Sequence, residues 1–317
     1  MHGIVTMKII FFGSSDFAAT ILKSLKDKEE VILTVTQPDR KKGRSLKVCA
    51  TPVKEMADRL GIKTVQPEDV NRKDLIDYLK GLNAELFVVA GFGQILKRDL
   101  LDVPSRYSIN VHASLLPKYR GAAPINRAIA NGEEETGVAI INMNERMDEG
   151  DIILDRVVRI DNEDNAVTLS KKLFIEAALL LLRSIELIKE GRANFVRQDN
   201  ANATYAPKLK KKDGLIDWQQ DAEDIYNRVR AFVPWPACFT YWDKKILKIW
   251  KAKTTATVPG TVPGTVVKVG ADGIVVSAGK GALRIEELQL EGKRSMSAEE
   301  FTRGHKEMRP GVIFSRQ

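Results

Sequence analysis

Three polar residues of this 317-residue chain have the types and the spacing to handle an acyl group. Asn110 and His112 stand two residues apart at the end of an apolar run, residues 107–111. On an extended chain, side chains at i and i+2 point to the same side, so an amide donor and an imidazole face one spot. Further on, a polar loop at 144–151 carries Asp148 and Asp151 on either side of Gly150. A neutral imidazole takes a proton from an attacking group, and its protonated form returns one to a leaving group. A neighbouring carboxylate fixes the tautomer of such a ring. An asparagine N–H donates to a carbonyl oxygen as that oxygen gains negative charge. The set suits direct transfer of an acyl group from a carrier to an amine. No Ser or Cys occupies a G-x-S-x-G elbow, so a covalent acyl-enzyme is not suggested. The plain alternative is that Asn110 and His112 cap a strand and Asp148 closes a loop.

Such a site needs a buried strand to deliver it. The strand 107–111 empties into a turn-rich segment with Ser114, Pro117, Gly121 and Pro124. In open α/β sheets, ligands bind at the carboxyl ends of strands. An earlier apolar strand, 86–90, ends in Gly91-Phe92-Gly93, read as a tight turn that also walls a pocket beside Asn110 and His112. The chain opens with a strand at 8–12, the turn Gly13-Ser14-Ser15-Asp16 and a helix at 17–25. That opening is like a nucleotide-binding start. It lacks G-x-G-x-x-G and a Walker A lysine, which argues against a dinucleotide or nucleoside-triphosphate site. Ser14 and Ser15 either receive a polar ligand or simply cap the helix. A second strand, 31–36, leads into the basic loop 37–51, with Arg40, Lys41, Lys42, Arg44 and Lys47, on the rim where a phosphate-bearing substrate would enter. Helices are predicted at 53–60, 71–82 (capped by Asn71), 123–130 and 167–189, and strands at 63–65, 137–142 and 152–160. This strand–helix alternation predicts an α/β fold with a doubly wound, mostly parallel sheet and antiparallel late strands.

The second part of the chain differs. Residues 191–214 have no periodicity and contain Lys208, Lys210, Lys211 and Lys212. A helix at 222–232 follows, stopped by Pro234 and Pro236, then short strands at 239–242, 247–250, 264–269, 273–277 and 282–290 and a helix near 298–302. Five short strands with Gly/Pro turns suggest a small β-barrel of the oligonucleotide-binding type. The expected organisation is a catalytic domain at 7–192, a basic linker at 193–213 and a small barrel domain at 214–317.

Composition narrows the class. With 44% hydrophobic and 29% charged residues, this is a globular chain with ample core. No apolar run is long enough to span a bilayer, and residues 1–6 lack the features of a signal peptide. Two distant cysteines, Cys49 and Cys238, make neither a zinc site nor a disulfide framework and fit a cytoplasmic location. Of 50 Lys/Arg, 20 lie in residues 201–317 with only 13 of the 42 Asp/Glu, a net +7 there against +1 before. A basic module beside a neutral one suggests a polyanionic partner, with plain solubility as the alternative. Trp218, Trp235, Trp242 and Trp250 are either stacking groups or core, the latter being commoner in a small barrel.

The motifs themselves resemble a known family, the folate-dependent formyltransferases. The resemblance rests on Asn110-x-His112, the SLLPKYRGAAPI that follows, and Asp148-Glu149-Gly150 at the family's usual separation. AGFGQIL, at 90–96, is similar to the family's folate-pocket strand end. QPDRKKGR (37–44), RAFVPWP (230–236) and LQLEGKRSMSAEEFTRG (288–304) resemble the branch that acts on a charged initiator tRNA. The resemblance implies transfer of a formyl group from 10-formyltetrahydrofolate to the α-amino group of methionine on initiator methionyl-tRNA, for translation initiation. It implies that Asn110 and His112 act on the oxyanion and on proton movement and that Asp148 orients His112; whether His112 is mainly base or oxyanion donor stays open. Folate would lie along Ser114, Leu115, Leu116 and Pro117 and along Gln94, Ile95 and Leu96, held largely by backbone groups. Arg44, with Lys41 and Lys42, would clamp the acceptor end, and Lys208, Lys210 and Lys211 would track the phosphate backbone. The expectation is a monomer without metal or membrane attachment. Rival readings are an amino-sugar-nucleotide formyltransferase, a formyltetrahydrofolate hydrolase and a noncatalytic RNA-binding protein.

Overall fold

Four consecutive apolar residues, Ile9 to Phe12, leave a strand no polar face, and all four are fully buried in β1 (Lys8–Gly13). The computed structural model describes residues 6–42, 47–256 and 260–315. Helix α1 (Asp16–Lys26) starts at Ser15, whose Oγ accepts from Ala18 N–H at 3.3 Å, so Ser15 is the helix cap. Strand β2 (Glu30–Val35) follows. The segment expected as a loop contains a small hairpin, β3 (Arg40–Lys42) paired with β4 (Lys47–Cys49). Its charged residues hide the hairpin from a periodicity reading, because neither face is apolar. Helix α2 (Pro52–Arg59) is capped by Thr51, and β5 (Thr64–Val65) is short. Helix α3 (Lys73–Gly81) begins after Arg72, not at an Asn71 cap. Asn71 is used elsewhere: its Nδ2 donates to Ile95 O at 2.9 Å and its Oδ1 accepts from Lys97 N–H at 2.8 Å. Then come β6 (Leu86–Ala90), α4 (Arg98–Leu101), β7 (Tyr107–His112), α5 (Pro124–Ala130), β8 (Glu135–Asn142), β9 (Asp151–Arg159) and α6 (Ala166–Lys189).

The sheet order is β5-β2-β1-β6-β7-β8-β9, with parallel pairing from β5 to β7 and antiparallel pairing of β8 and β9. The order reverses at β1, so the switch point lies between β1 and β6. One face packs Ile10, Phe12, Phe87 and Val89 against Ile76 and Leu79 of α3. On α1, the Phe17 ring lies 4.9 Å from Phe174 of α6.

Contacts divide the chain into two units: Met1–Pro124, Glu135–Arg159 and Ser170–Pro207 in the first, and Ile125–Glu134, Ile160–Leu169 and Lys208–Gln317 in the second. The stretch expected as a linker is split between them at Pro207.

The second unit is built on α7 (Ala222–Ala231) and the strands β10 (Cys238–Trp242), β11 (Lys245–Thr255), β12 (Val266–Gly270), β13 (Gly273–Ser277), β14 (Ala282–Leu290) and β15 (Met296–Ser297), followed by α8 (Ala298–Gly304). The strands form an antiparallel sheet in the order β10-β11-β14-β13-β12, with β15 on β14. Strand β11 runs well past the expected 247–250 because its lysines alternate with the buried Leu247, Ile249 and Ala252 through a bulge. The chain's tail touches both edge strands: Ser315 and Tyr241 exchange backbone bonds, and Gly311 N–H donates to Val266 O at 2.9 Å. Trp218 is core, donating to Thr240 Oγ1 at 3.1 Å, whereas Trp235 is 53% exposed. The His305 ring centroid lies 4.4 Å from that of Phe301. No described helix is long and apolar enough to cross a membrane.

Burial pushes the Cys238 thiol up to about 12, with nearby Arg228 pulling slightly the other way. The folded chain therefore keeps this proton where the unfolded chain, near 9, begins to lose it, and its contribution to stability fades as pH rises above about 9. Alkylation at pH 8 is expected to spare Cys238 in the native protein and to label it after unfolding. Native labelling at the rate of a free thiol would contradict this burial.

Candidate active site

Strand β7 places Asn110 and His112 on one side of the sheet, as the period of two requires. Backbone pairing fixes them: Asn110 lies opposite Val89 of β6 and Ile141 of β8. The β8–β9 connection starts beside Ser108, whose carbonyl accepts from Met143 N–H at 2.7 Å, and folds back over this face. It delivers Asp148. The Asp148 Oδ1 accepts from Asn110 Nδ2 at 3.1 Å, and its Oδ2 accepts from the Gly121 N–H at 2.8 Å. His112 Nδ1 stands 3.6 Å from Oδ2, beyond a hydrogen bond but in ion-pair range once Nδ1 carries a proton. Its Nε2 meets Tyr119 O at 2.9 Å. A carbonyl only accepts, so Nε2 holds a proton and Nδ1 is the nitrogen free to exchange one.

The imidazole is buried, and Asp148 and Asn110 are partly open. The second N–H of the Asn110 amide has no protein acceptor among the described residues. That N–H is the donor a developing oxyanion could use. The other acid singled out by sequence, Asp151, starts β9 opposite Asn142, and the carboxylate that stands beside His112 is that of Asp148.

The loop after His112 supplies backbone more than side chains. Ser114 is buried, its hydroxyl donating to Lys118 O at 2.6 Å. Leu116 is buried with Ala139 and Ile141, while Leu115 and Pro117 are half-buried. Of the other candidate folate residues, Leu96 is core and Ile95 is exposed. The Gln94 amide is committed to the 67–70 turn, accepting from Val70 N–H at 2.9 Å. A groove of about 330 Å³ beside Gln66, Arg72 and Tyr78 shares no residue with these.

Among the basic candidates, Arg44 lies outside the described residues. Lys41 is an exposed residue of β3, which Lys42 ends, and Lys208, Lys210 and Lys211 are exposed in the second unit.

Two residues that sequence reasoning missed hold the site together. Arg120 is 1% exposed, and Gln198 comes from the aperiodic stretch. The Gln198 Oε1 accepts from Arg120 Nε and Nη2, and its Nε2 donates to Asp148 O at 2.8 Å and Gly150 O at 2.7 Å. Residues 204–206 run alongside: Arg120 N–H donates to Thr204 O, and Ala206 N–H to Arg120 O. Gly121 permits this approach, since a Cβ there would lie 2.8 Å from Ala206 O. The only signal in the sequence was Arg120's place inside the motif; nothing marked Gln198.

The formyl transferase family model matches residues 7–185, more than half of the chain, and its C-terminal domain model matches 208–306. The chain belongs to the formyl transferase family. Proteins named methionyl-tRNA formyltransferase resemble it along nearly their whole length. One from Geobacter metallireducens is 44% identical, covering 96% of this chain and 98% of that one. One from Caldanaerobacter subterraneus is 45% identical, covering 94% and 97%. Among solved structures, the N-formyltransferase of Helicobacter canadensis, in complex with folinic acid and dTDP-3-aminofucose, shares the fold with this formyl transferase. Its TM-score is 0.62 at 20% identity, over 89% of this chain and 99% of that one.

Proposed function

We propose that this formyl transferase moves the formyl group of 10-formyltetrahydrofolate to the α-amino group of methionine on initiator methionyl-tRNA, acting as a cytoplasmic monomer. What carries the chemistry is the Asp148 carboxylate, gripped by Asn110 and the Gly121 N–H and facing His112 Nδ1. What supports the acceptor is the near full-length likeness to proteins bearing that name. As the amine attacks the formyl carbon, Asn110 donates its second N–H to the oxyanion and His112 Nδ1 takes the proton that the amine sheds. Asp148 balances the imidazolium so formed. The proton then passes to the folate nitrogen as the old C–N bond breaks. No metal is needed, since the formyl group is already activated on its carrier. Folate would lie on the backbone of Ser114, Leu115, Leu116 and Pro117 and of Gln94, Ile95 and Leu96. Lys41, Lys42 and Arg44 would hold the acceptor end, and Lys208, Lys210 and Lys211 the phosphates, dividing the chain functionally into catalytic and tRNA-binding parts.

The test compares charged initiator tRNA, charged elongator tRNA and an amino sugar nucleotide as acceptors. Rapid transfer to the initiator alone is expected. Transfer only to the sugar, or release of free formate, would overturn the acceptor assignment. Replacing Lys208, Lys210 and Lys211 by alanine should raise KM for tRNA. It should also flatten the log–log salt dependence by about 0.7–0.9 for each lysine on a phosphate. Unchanged KM and slope would remove these lysines from the interface.

A further inference from the structure

Residues 191–207 hold only one helical turn, Asn200–Asn202, and fall between the two family models. They nevertheless reach the candidate site. We infer that Gln198 is a positioning residue for the proposed transfer, clamping the backbone of Asp148 so that its carboxylate faces His112; this rests on the catalytic reading of Asp148.

The geometry leaves the clamp one orientation. The guanidinium of Arg120 has only donors, so the Gln198 oxygen must face it and the Gln198 NH2 must face the two carbonyls. Both N–H bonds go to the turn bearing Asp148, at 2.8 and 2.7 Å. Arg120 is itself fixed, by Asn200 Oδ1 at 2.7 Å and by the Glu149 carboxylate at 3.2 Å. That ion pair draws the carboxylate next in sequence to Asp148 onto Arg120. Asp148 has a φ of +54°, a conformation that a residue with a Cβ adopts only when its surroundings hold it there. Two short bonds, one to its own carbonyl and one to the carbonyl two residues on, supply the hold. A carboxylate displaced by an ångström no longer meets Asn110 and His112 together, and displacements of that size cost up to about a hundredfold in rate.

The test uses Gln198→Ala, Gln198→Glu, Asp148→Asn and the Gln198→Ala/Asp148→Asn pair in the full chain, with kcat and KM for both substrates and the thermal midpoint. Glutamate keeps the shape and the Arg120 contact but turns oxygens, not N–H groups, toward the carbonyls. Both Gln198 variants are expected to lose about tenfold in kcat at unchanged KM, the glutamate variant with a near-normal midpoint. In the Asp148→Asn background, Gln198→Ala should cost nothing further. Recovery of wild-type kcat by Gln198→Glu, or a loss that multiplies with Asp148→Asn, would overturn the positioning role and leave Asp148 catalytic. Near-wild-type turnover of Asp148→Asn would instead remove the catalytic reading, and the clamp's role with it. If Gln198→Ala fails to fold, the glutamate variant decides alone.

Discussion

Asp148→Asn is expected to lower kcat for formyl transfer by at least about a hundredfold, with little change in KM for either substrate. The two residues are nearly the same shape, so the loss would be chemical. Both Asp148 oxygens now accept, one from the Asn110 amide and one from the Gly121 N–H. An asparagine would turn an N–H toward one of those donors, breaking that contact and swinging the group away. It would also remove the negative charge that stands 3.6 Å from His112 Nδ1, where the proposed mechanism places a proton during transfer. A hundredfold corresponds to about 2.7 kcal/mol of transition-state stabilisation, a usual magnitude for one such electrostatic group. Steady-state kinetics with charged initiator tRNA reads this directly. A variant with wild-type kcat would show that Asp148 is structural. His112→Ala and Asn110→Ala should lose comparable turnover while still binding tRNA.

Gly150→Ala should be nearly as damaging, by a different route. A Cβ at this position would lie 1.8 Å from the Asn142 carbonyl oxygen and 2.8 Å from its carbon. The obstacle is backbone, held in the β8–β9 ladder where Asn142 pairs with Asp151, so no side-chain rotation relieves it. The connection must shift, and Asp148, two residues away, shifts with it. Overpacking of this kind costs about 1–3 kcal/mol. The expected result is a thermal midpoint lower by on the order of 5 °C and a drop in kcat of about a hundredfold. An alanine variant with unchanged melting and turnover would mean that the turn relaxes freely, and that its tight geometry does not matter to Asp148.

Local order is legible in the residues where burial and period agree. Strands such as β1 and β6 are continuous apolar runs, and their boundaries follow from the residues alone. It is less legible where side chains carry charge. The β3–β4 hairpin lies in a lysine-rich segment, and β11 alternates lysine with apolar residues over a length that no turn residue marks. Asn71 shows the limit of cap rules: a good capping residue was taken by a tertiary contact with Ile95 and Lys97 instead.

The site's composition can be read from the residues alone. Asn110 and His112 share a face because a strand repeats every two residues, and that is a local property. The motif around them was enough to point to formyl transfer. How the site is held depends on contacts between distant segments. Asp148 reaches Asn110 because the β8–β9 connection folds back over the sheet, and it stays there because Gln198, 50 residues away, grips its backbone. A stretch without periodicity, read as a linker, became part of the scaffold through backbone bonds between Thr204, Ala206 and Arg120. Contacts of this kind depend on which distant segments meet. No local pattern encodes that, because a buried glutamine or arginine is satisfied by partners that only folding brings within reach.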